Sequence, residues 1–305
     1  MTESVGRTPP IADSAARHSF GLTDVLLLAM AAIWGANFVV VKYATNIFSP
    51  EAFTGLRVVV AAVFLVVFAL ARGGFSLSRS DVIRLLLLGV IGNGVYQLLF
   101  VHGVARTRAG NASLIVGAAP AFIALAARAR GMERVKRMTL VGIALSVIGV
   151  ALVIAGSATS SNGQTTLLGS LLVFLGVLSW TLYTILLQPY TKRIDVIQLS
   201  AVTLVGGAVP LLVVSMPALV ATDWAGVAPG GWLAVFYSSV ISMGVAYFFW
   251  YRGLRVLGPT RTAVYSNLQP IVALLVAWAF LGEIPTIFQG VGAVTIIAGV
   301  FLTRT

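Results

Sequence analysis

The side chains with recognition chemistry in this chain are aromatic rings and neutral amides, set about a helical turn apart inside apolar runs. Trp34 and Asn37 stand three residues apart in the run from Leu22 to Val41, so a helix places them on one face. Trp180 and Tyr183 reproduce that spacing in the second half of the chain. Asn93, Tyr96 and Gln97 cluster near the middle of another run, and Tyr265 and Gln269 stand one turn apart in a later one. Rings of this kind hold a flat apolar group through contact area and offset stacking. Neutral amides orient a polar head without a fixed charge in the membrane. An amide in an apolar core costs about 1–3 kcal/mol unless it is hydrogen-bonded, so Asn37 has either a neighbouring helix or a ligand as its partner. Each ring taken alone is open to packing or binding. Together Trp34, Asn37, Tyr96, Gln97, Trp180, Tyr183, Tyr247, Tyr265 and Gln269 describe a cavity with aromatic walls and uncharged hydrogen-bonding groups.

Charge is informative by position. All nine acidic residues (Glu3, Asp13, Asp24, Glu51, Asp81, Glu133, Asp195, Asp223 and Glu283) fall in the N-terminal segment, in connections or at helix ends. A proton-coupled exporter of cations normally carries a carboxylate deep in a span. Arg57 is the most embedded charge. It is read as snorkelling to the outer headgroups, with attraction of a substrate carboxylate as the alternative. Glu133 and Glu283 read as structural helix-end residues. His102, near Arg106 and Arg108, reads as a headgroup-level polar residue that titrates around neutrality. Cysteine is absent and His18 and His102 are far apart, so neither a metal nor any other cofactor is expected. The apolar runs hold no nucleophile–base pair, metal cluster or paired carboxylates, so the chain is not expected to be an enzyme.

The elements that carry these residues are membrane helices. Of 305 residues 59% are hydrophobic and 10% charged, and mean hydropathy is +0.99; a soluble domain is about 25% charged. In a bilayer the backbone must satisfy its own hydrogen bonds, as helices or as a closed barrel. Apolar stretches of about 20 residues, rather than alternation over about 10, select helices. Spans are expected at 22–41, 51–71, 82–102, 109–128, 138–156, 167–187, 197–216, 231–251, 260–281 and 286–302, after a mobile tail over 1–20. The first apolar run is longer than a cleaved signal segment and reads as a retained span. Gly73-Gly74, Asn162-Gly163 and Pro229-Gly230-Gly231 mark connections too short for an extramembrane catalytic domain. With the N-terminus inside, fifteen Lys and Arg residues fall in inner segments and only Lys42, Arg106 and Arg108 in outer loops. Both termini are therefore expected in the cytoplasm. The net charge of +11 is spread over these short gaps and does not form a nucleic-acid surface.

An internal repeat organises the chain. Shifted by 150 residues, 90–152 matches 240–302 at fifteen of 63 positions, with Pro120/Pro270, Glu133/Glu283 and glycine pairs such as Gly94/Gly244 in one register. Under this shift Tyr247 is the counterpart of Gln97. The expected architecture is an all-α membrane protein of ten transmembrane helices, with repeats over 21–156 and 157–305. Five spans is an odd number, so the second repeat is inverted relative to the first, around a central cavity. That construction is usual for secondary transporters, with an inverted-repeat channel as the alternative. Pro120 and Pro270 sit inside helices and are expected to leave the carbonyls of Val116 and Ser266 without helical partners, as static kinks or as hinges.

The segments IWGANFVVVKYA (33–44), SPEAFTGLRVVVAA (49–62), ARTRAGNASLIVGAAPAFIALAAR (105–128) and GPTRTAVYSNLQPIVALLVAWAFLGEIPT (258–286) resemble the repeated signatures of the EamA family of the drug/metabolite transporter superfamily. The resemblance implies an exporter of small metabolites that works by alternating access, and within the family it points to the YddG type, which handles aromatic amino acids. It implies a protein of the bacterial cytoplasmic (inner) membrane whose partners are its small-molecule substrate and lipid; the sequence leaves the oligomeric state open, a monomer being one option. A facilitative channel, or an exporter of other hydrophobic metabolites or drugs, is the alternative. The first repeat departs from the pattern after Pro120, where Arg128, Arg130 and GMERVKR replace a more apolar helix end, so strictly symmetric gating is not expected.

Overall fold

A computed structural model describes residues 21–132, 137–158 and 166–302; the 1–20 tail, Glu133 and the connection at 159–165 lie outside the described residues. Every regular element among the described residues is helical. In chain order they are α1 (Leu22–Ala44), α2 (Pro50–Ala71), α3 (Arg79–Arg106), α4 (Ala109–Ala129), α5 (Arg137–Ala158), α6 (Leu167–Thr191), α7 (Val196–Ala221), α8 (Pro229–Val256), α9 (Pro259–Leu281) and α10 (Ile287–Leu302). Eight are long and apolar enough to cross a membrane, while α5 and α10 carry the shorter apolar stretches Leu140–Gly156 and Ile287–Gly299. The ends are local chemistry. Ser49, Ser78, Thr166 and Asp195 are N-caps whose side chains accept backbone N–H groups, and Pro50 and Pro229 open their helices where no N–H donor is required.

The helices form a closed ring. α1 packs against α8 and α9, α9 against α4, α4 against α6, α6 against α3, α3 against α7, α7 against α2, and α2 against α8. The pair α5 and α10 stands outside this ring against α4. Lipid is as apolar as leucine, so helices in it associate by close packing of small residues. A Cβ on Gly149 would stand 2.9 Å from the Gly292 carbonyl oxygen, and one on Gly292 3.1 Å from that of Gly149. Val63 and Val67 of α2, Val209 and Val213 of α7 and Val294 of α10 point outward. Apolar side chains exposed on helix after helix match lipid rather than water.

The ring helices lose α-helical regularity where they approach the centre. Val90–Val95 of α3 and Tyr237–Val245 of α8 are π-helical, α4 breaks at Ala118, and Ser266–Leu268 of α9 is a 3₁₀ turn. Shifting the hydrogen-bond register frees carbonyls for other donors. Trp34 Nε1 donates to the Ser242 carbonyl at 2.9 Å, and Ser179 Oγ to that of Ile91 at 2.9 Å. One expectation is corrected here. Ser266 keeps a partner despite Pro270, because the 3₁₀ turn brings the Gln269 N–H to its carbonyl. In α4 the chain breaks before Pro120, which then sits in the first turn of the following segment, where a missing N–H does no harm.

Candidate functional site

Where the irregular segments converge, side chains from α1, α2, α3, α4, α6, α8 and α9 surround a central cavity of about 50 Å³. Among the residues expected there, Trp34, Asn37, Tyr96, Gln97, Trp180, Tyr247 and Gln269 line it; Tyr183 and Tyr265 do not. Tyr183 follows Trp180 by three residues and is turned about 60° away from it around the helix. It is fully buried, its hydroxyl 2.6 Å from that of Tyr251. Tyr265 precedes Gln269 across the 3₁₀ turn, which winds more tightly than an α-helix. Its hydroxyl donates to Asp24 in the first turn of α1. Neither Pro120 nor Pro270 lines the cavity, although each adjoins a residue that does, Ala119 and Gln269.

The walls are aromatic. Trp34 meets Trp180 and Tyr247 edge-on, with ring centroids 5.9 and 5.7 Å apart, and Trp250 at 5.5 Å. Trp180 lies 5.0 Å from Tyr96, 5.7 Å from Tyr247 and 5.7 Å from Trp250. Such pairs contribute about 0.5–1.5 kcal/mol each beyond area burial. Trp250 was missed in the sequence, although it follows Tyr247 by three residues as Asn37 follows Trp34.

A hydrogen-bonded chain crosses the box. Ser238 Oγ donates to Asn37 Oδ1 at 2.9 Å and accepts from Arg57 Nη1 at 2.6 Å. Arg57 Nη2 donates to Gln97 Oε1, and Gln97 Nε2 donates to the Tyr247 hydroxyl at 2.7 Å. This overturns the snorkelling expectation for Arg57, whose side chain turns inward, is 1% exposed and lines the cavity. Phe53 and Phe100 flank its guanidinium at 5.6 and 5.7 Å. A snorkelling arginine needs an open path to the headgroups; here α8, through Ser238, and α3, through Gln97, hold the group inside.

The two ends of the bundle are tied by polar contacts. At the end where α4 begins, Glu283 accepts from the N–H groups of Ala109 and Gly110 at 3.1 and 3.2 Å, a carboxylate at a helix N-terminus. Arg108 Nη2 donates to the Ile284 carbonyl at 2.7 Å. On the same side His102 Nε2 lies 3.3 Å from Glu51, and its Nδ1 lies 2.9 Å from Arg106. At the opposite end Arg193, in the connection between α6 and α7, donates to both Asp81 oxygens at 2.8 and 2.5 Å. Asp81 thereby holds the guanidinium above the usual arginine range.

The sequence profile of the EamA-like transporter family matches residues 21–155 and again 167–305. The chain belongs to that family. This EamA-like protein is similar to the uncharacterized transporter YyaM of Bacillus subtilis, 29% identical over 279 residues that cover 90% of this chain and 91% of YyaM. It is also similar to the uncharacterized inner membrane transporter YedA of Escherichia coli K12, at 26% over 268 residues, 84% of this chain and 82% of YedA. A solved crystal structure shares the fold, with a TM-score of 0.65 at 17% identity over 94% of this chain and 99% of the other. Two EamA-like units, a multi-pass helical fold and transporter relatives over most of its length make this EamA-like chain an integral membrane transporter.

Proposed function

We propose that the protein is a secondary transporter that exports neutral amino acids with large or aromatic side chains from the bacterial cytoplasm. It works by alternating access between two inverted five-helix repeats, ten spans in all, with both termini in the cytoplasm. The observation that carries this reading is the central box of Trp34, Trp180, Tyr247 and Trp250 with Asn37, Gln97 and Gln269 on its lining. Flat side chains gain stacking there, and neutral groups orient the polar end. Two features support the inverted repeat. Gln97 and Tyr247 are counterparts under the 150-residue shift and hydrogen-bond to each other, as residues beside a pseudo-two-fold axis would. The π-helical segments start at or near equivalent positions, Val90 in α3 and Tyr237 in α8, and each accepts a side-chain donor.

The cavity volume supports a carrier over a channel. About 50 Å³ is room for a water molecule or two, far below the several hundred Å³ of a ligand site. A substrate must therefore enter through a rearrangement, with Pro120 and Pro270 at the breaks of α4 and α9 as the hinges. Reconstituted vesicles preloaded with unlabelled phenylalanine test this. Counterflow of labelled phenylalanine, tryptophan and methionine should exceed that of aspartate, glutamate, lysine and arginine, and should saturate. Non-saturating flux without counterflow would make the protein a channel.

A further inference from the structure

Arg57 poses a charge problem that the walls of the cavity do not solve. Among the described residues it is the one charged side chain that is fully buried. No carboxylate there lies within ion-pairing distance of it. Its two terminal nitrogens are occupied by neutral groups, Ser238 and Gln97, and its Nε is buried without a hydrogen-bond partner. A buried cation without an anion is strongly unfavourable, and hydrogen bonds to neutral groups offset only part of that cost. The other buried polar atom of the lining without a partner is Trp250 Nε1. Both are donors. The polar atoms left open on the lining are therefore donors, beside a buried positive charge with no carboxylate partner.

We propose that Arg57 is the carboxylate-recognising residue of the transport site, and that the site selects monocarboxylates with an apolar or aromatic body whether or not they carry an amino group. This deepens the amino-acid reading above and rests on it for the aromatic body of the ligand. A carboxylate can accept from the open Nε–H and from the second hydrogen of a terminal nitrogen, and the Phe53 and Phe100 rings flank the guanidinium. An α-ammonium placed near Arg57 would meet a like charge, with no carboxylate there to offset it. A substrate's amino group is thus tolerated towards Asn37 or the ring faces but is not what the site recognises.

The test compares three ligands of one shape on the purified protein in nanodiscs, read by tryptophan fluorescence and by thermal shift: phenylalanine, 3-phenylpropionate and phenethylamine. We expect 3-phenylpropionate to bind within about threefold of phenylalanine, and phenethylamine to bind at least about 30-fold more weakly, the scale of losing one partner of a buried charge pair. Arg57→Gln should weaken both carboxylates by a similar factor and leave phenethylamine unchanged or tighter; Arg57→Lys should restore part of the loss. A residue that merely held the helices together would move all three ligands alike. Phenethylamine binding as well as phenylalanine, or 3-phenylpropionate failing while phenylalanine binds, would overturn the carboxylate proposal and leave the amino-acid reading standing. Binding of 3-phenylpropionate without phenylalanine would support Arg57 and overturn the amino-acid reading. Binding of none of the three overturns both. If Arg57→Gln does not fold, the ligand series on the unaltered protein still separates these outcomes.

Discussion

Two buried polar clusters touch the Trp180 ring, and they have opposite characters. One runs Asn37–Ser238–Arg57–Gln97–Tyr247, and all of it except Ser238 lines the cavity. The other is Tyr183–Tyr251, 5.3 Å from Trp180 through Tyr183, and is sealed from the cavity. The helices that feed them begin alike, α2 at the N-cap Ser49 and α7 at the N-cap Asp195. Counted from those caps, Arg57 and Thr203 hold the same position. Thr203 donates back to the carbonyls of Leu199 and Ser200 at 2.9 and 3.2 Å, within its own helix. Arg57 reaches across to two other helices and still has an open donor. A repeated scaffold thus keeps its helix starts in both copies and carries charge in only one. The neutral pair bonds to itself, and the charged cluster keeps one buried donor open.

The largest effect should come from making the quiet cluster charged. Thr203→Arg would bury a second cation among Tyr183, Tyr251 and the backbone of α3, with no ligand to neutralise it. A loss of about 3–5 kcal/mol is expected, seen as little monodisperse protein after extraction from the membrane; normal yield would show that α7 has room and water that the structure does not assign to it.

A smaller contrast comes from removing one hydroxyl from each cluster. Ser238→Ala takes an acceptor from Arg57 and a donor from Asn37, and should cost about 1–3 kcal/mol, read as a fall of about fivefold or more in phenylalanine affinity. Tyr251→Phe removes the Tyr183 contact and should lower thermal stability by about 1 kcal/mol with transport selectivity unchanged. A selectivity change in Tyr251→Phe would join the two clusters into one site.

The smallest effect concerns the ring that both clusters share. Trp180→Ala should weaken phenylalanine and tryptophan severalfold more than alanine or threonine, because only flat side chains lose stacking of about 0.5–1.5 kcal/mol per pair. Competition assays measure this directly, and equal weakening of both classes would reduce Trp180 to a packing role.

Much of the scaffold is legible in the chain alone. Apolar runs are properties of neighbouring residues, and the helices fall close to where those runs place them. The candidate site is legible by residue type. Rings and amides spaced a turn apart mark Trp34, Asn37, Tyr96, Gln97, Trp180, Tyr247 and Gln269, and all of these line the cavity. Tyr183 and Tyr265 share that spacing but do not reach the cavity, because their hydroxyls are engaged by Tyr251 and by Asp24. Ser238 gives no signal, because a serine in an apolar helix usually bonds its own backbone, as Ser239 does with Val235.

What the amino-acid order determined by itself is the solvent of this protein, the course of its helices and the kinds of group that enter the membrane. Hydropathy, capping and helix period are local quantities, summed over a few turns. The fate of Arg57 was decided only in three dimensions. A buried donor is defined by whichever acceptors the fold brings within about 3 Å, and here those are Gln97, 40 residues away, and Ser238, 181 residues away. The same charge on a helix face turned outward would have reached the headgroups. Turned inward by the packing of α2 between α7 and α8, it stands at the cavity with one hydrogen bond still to give.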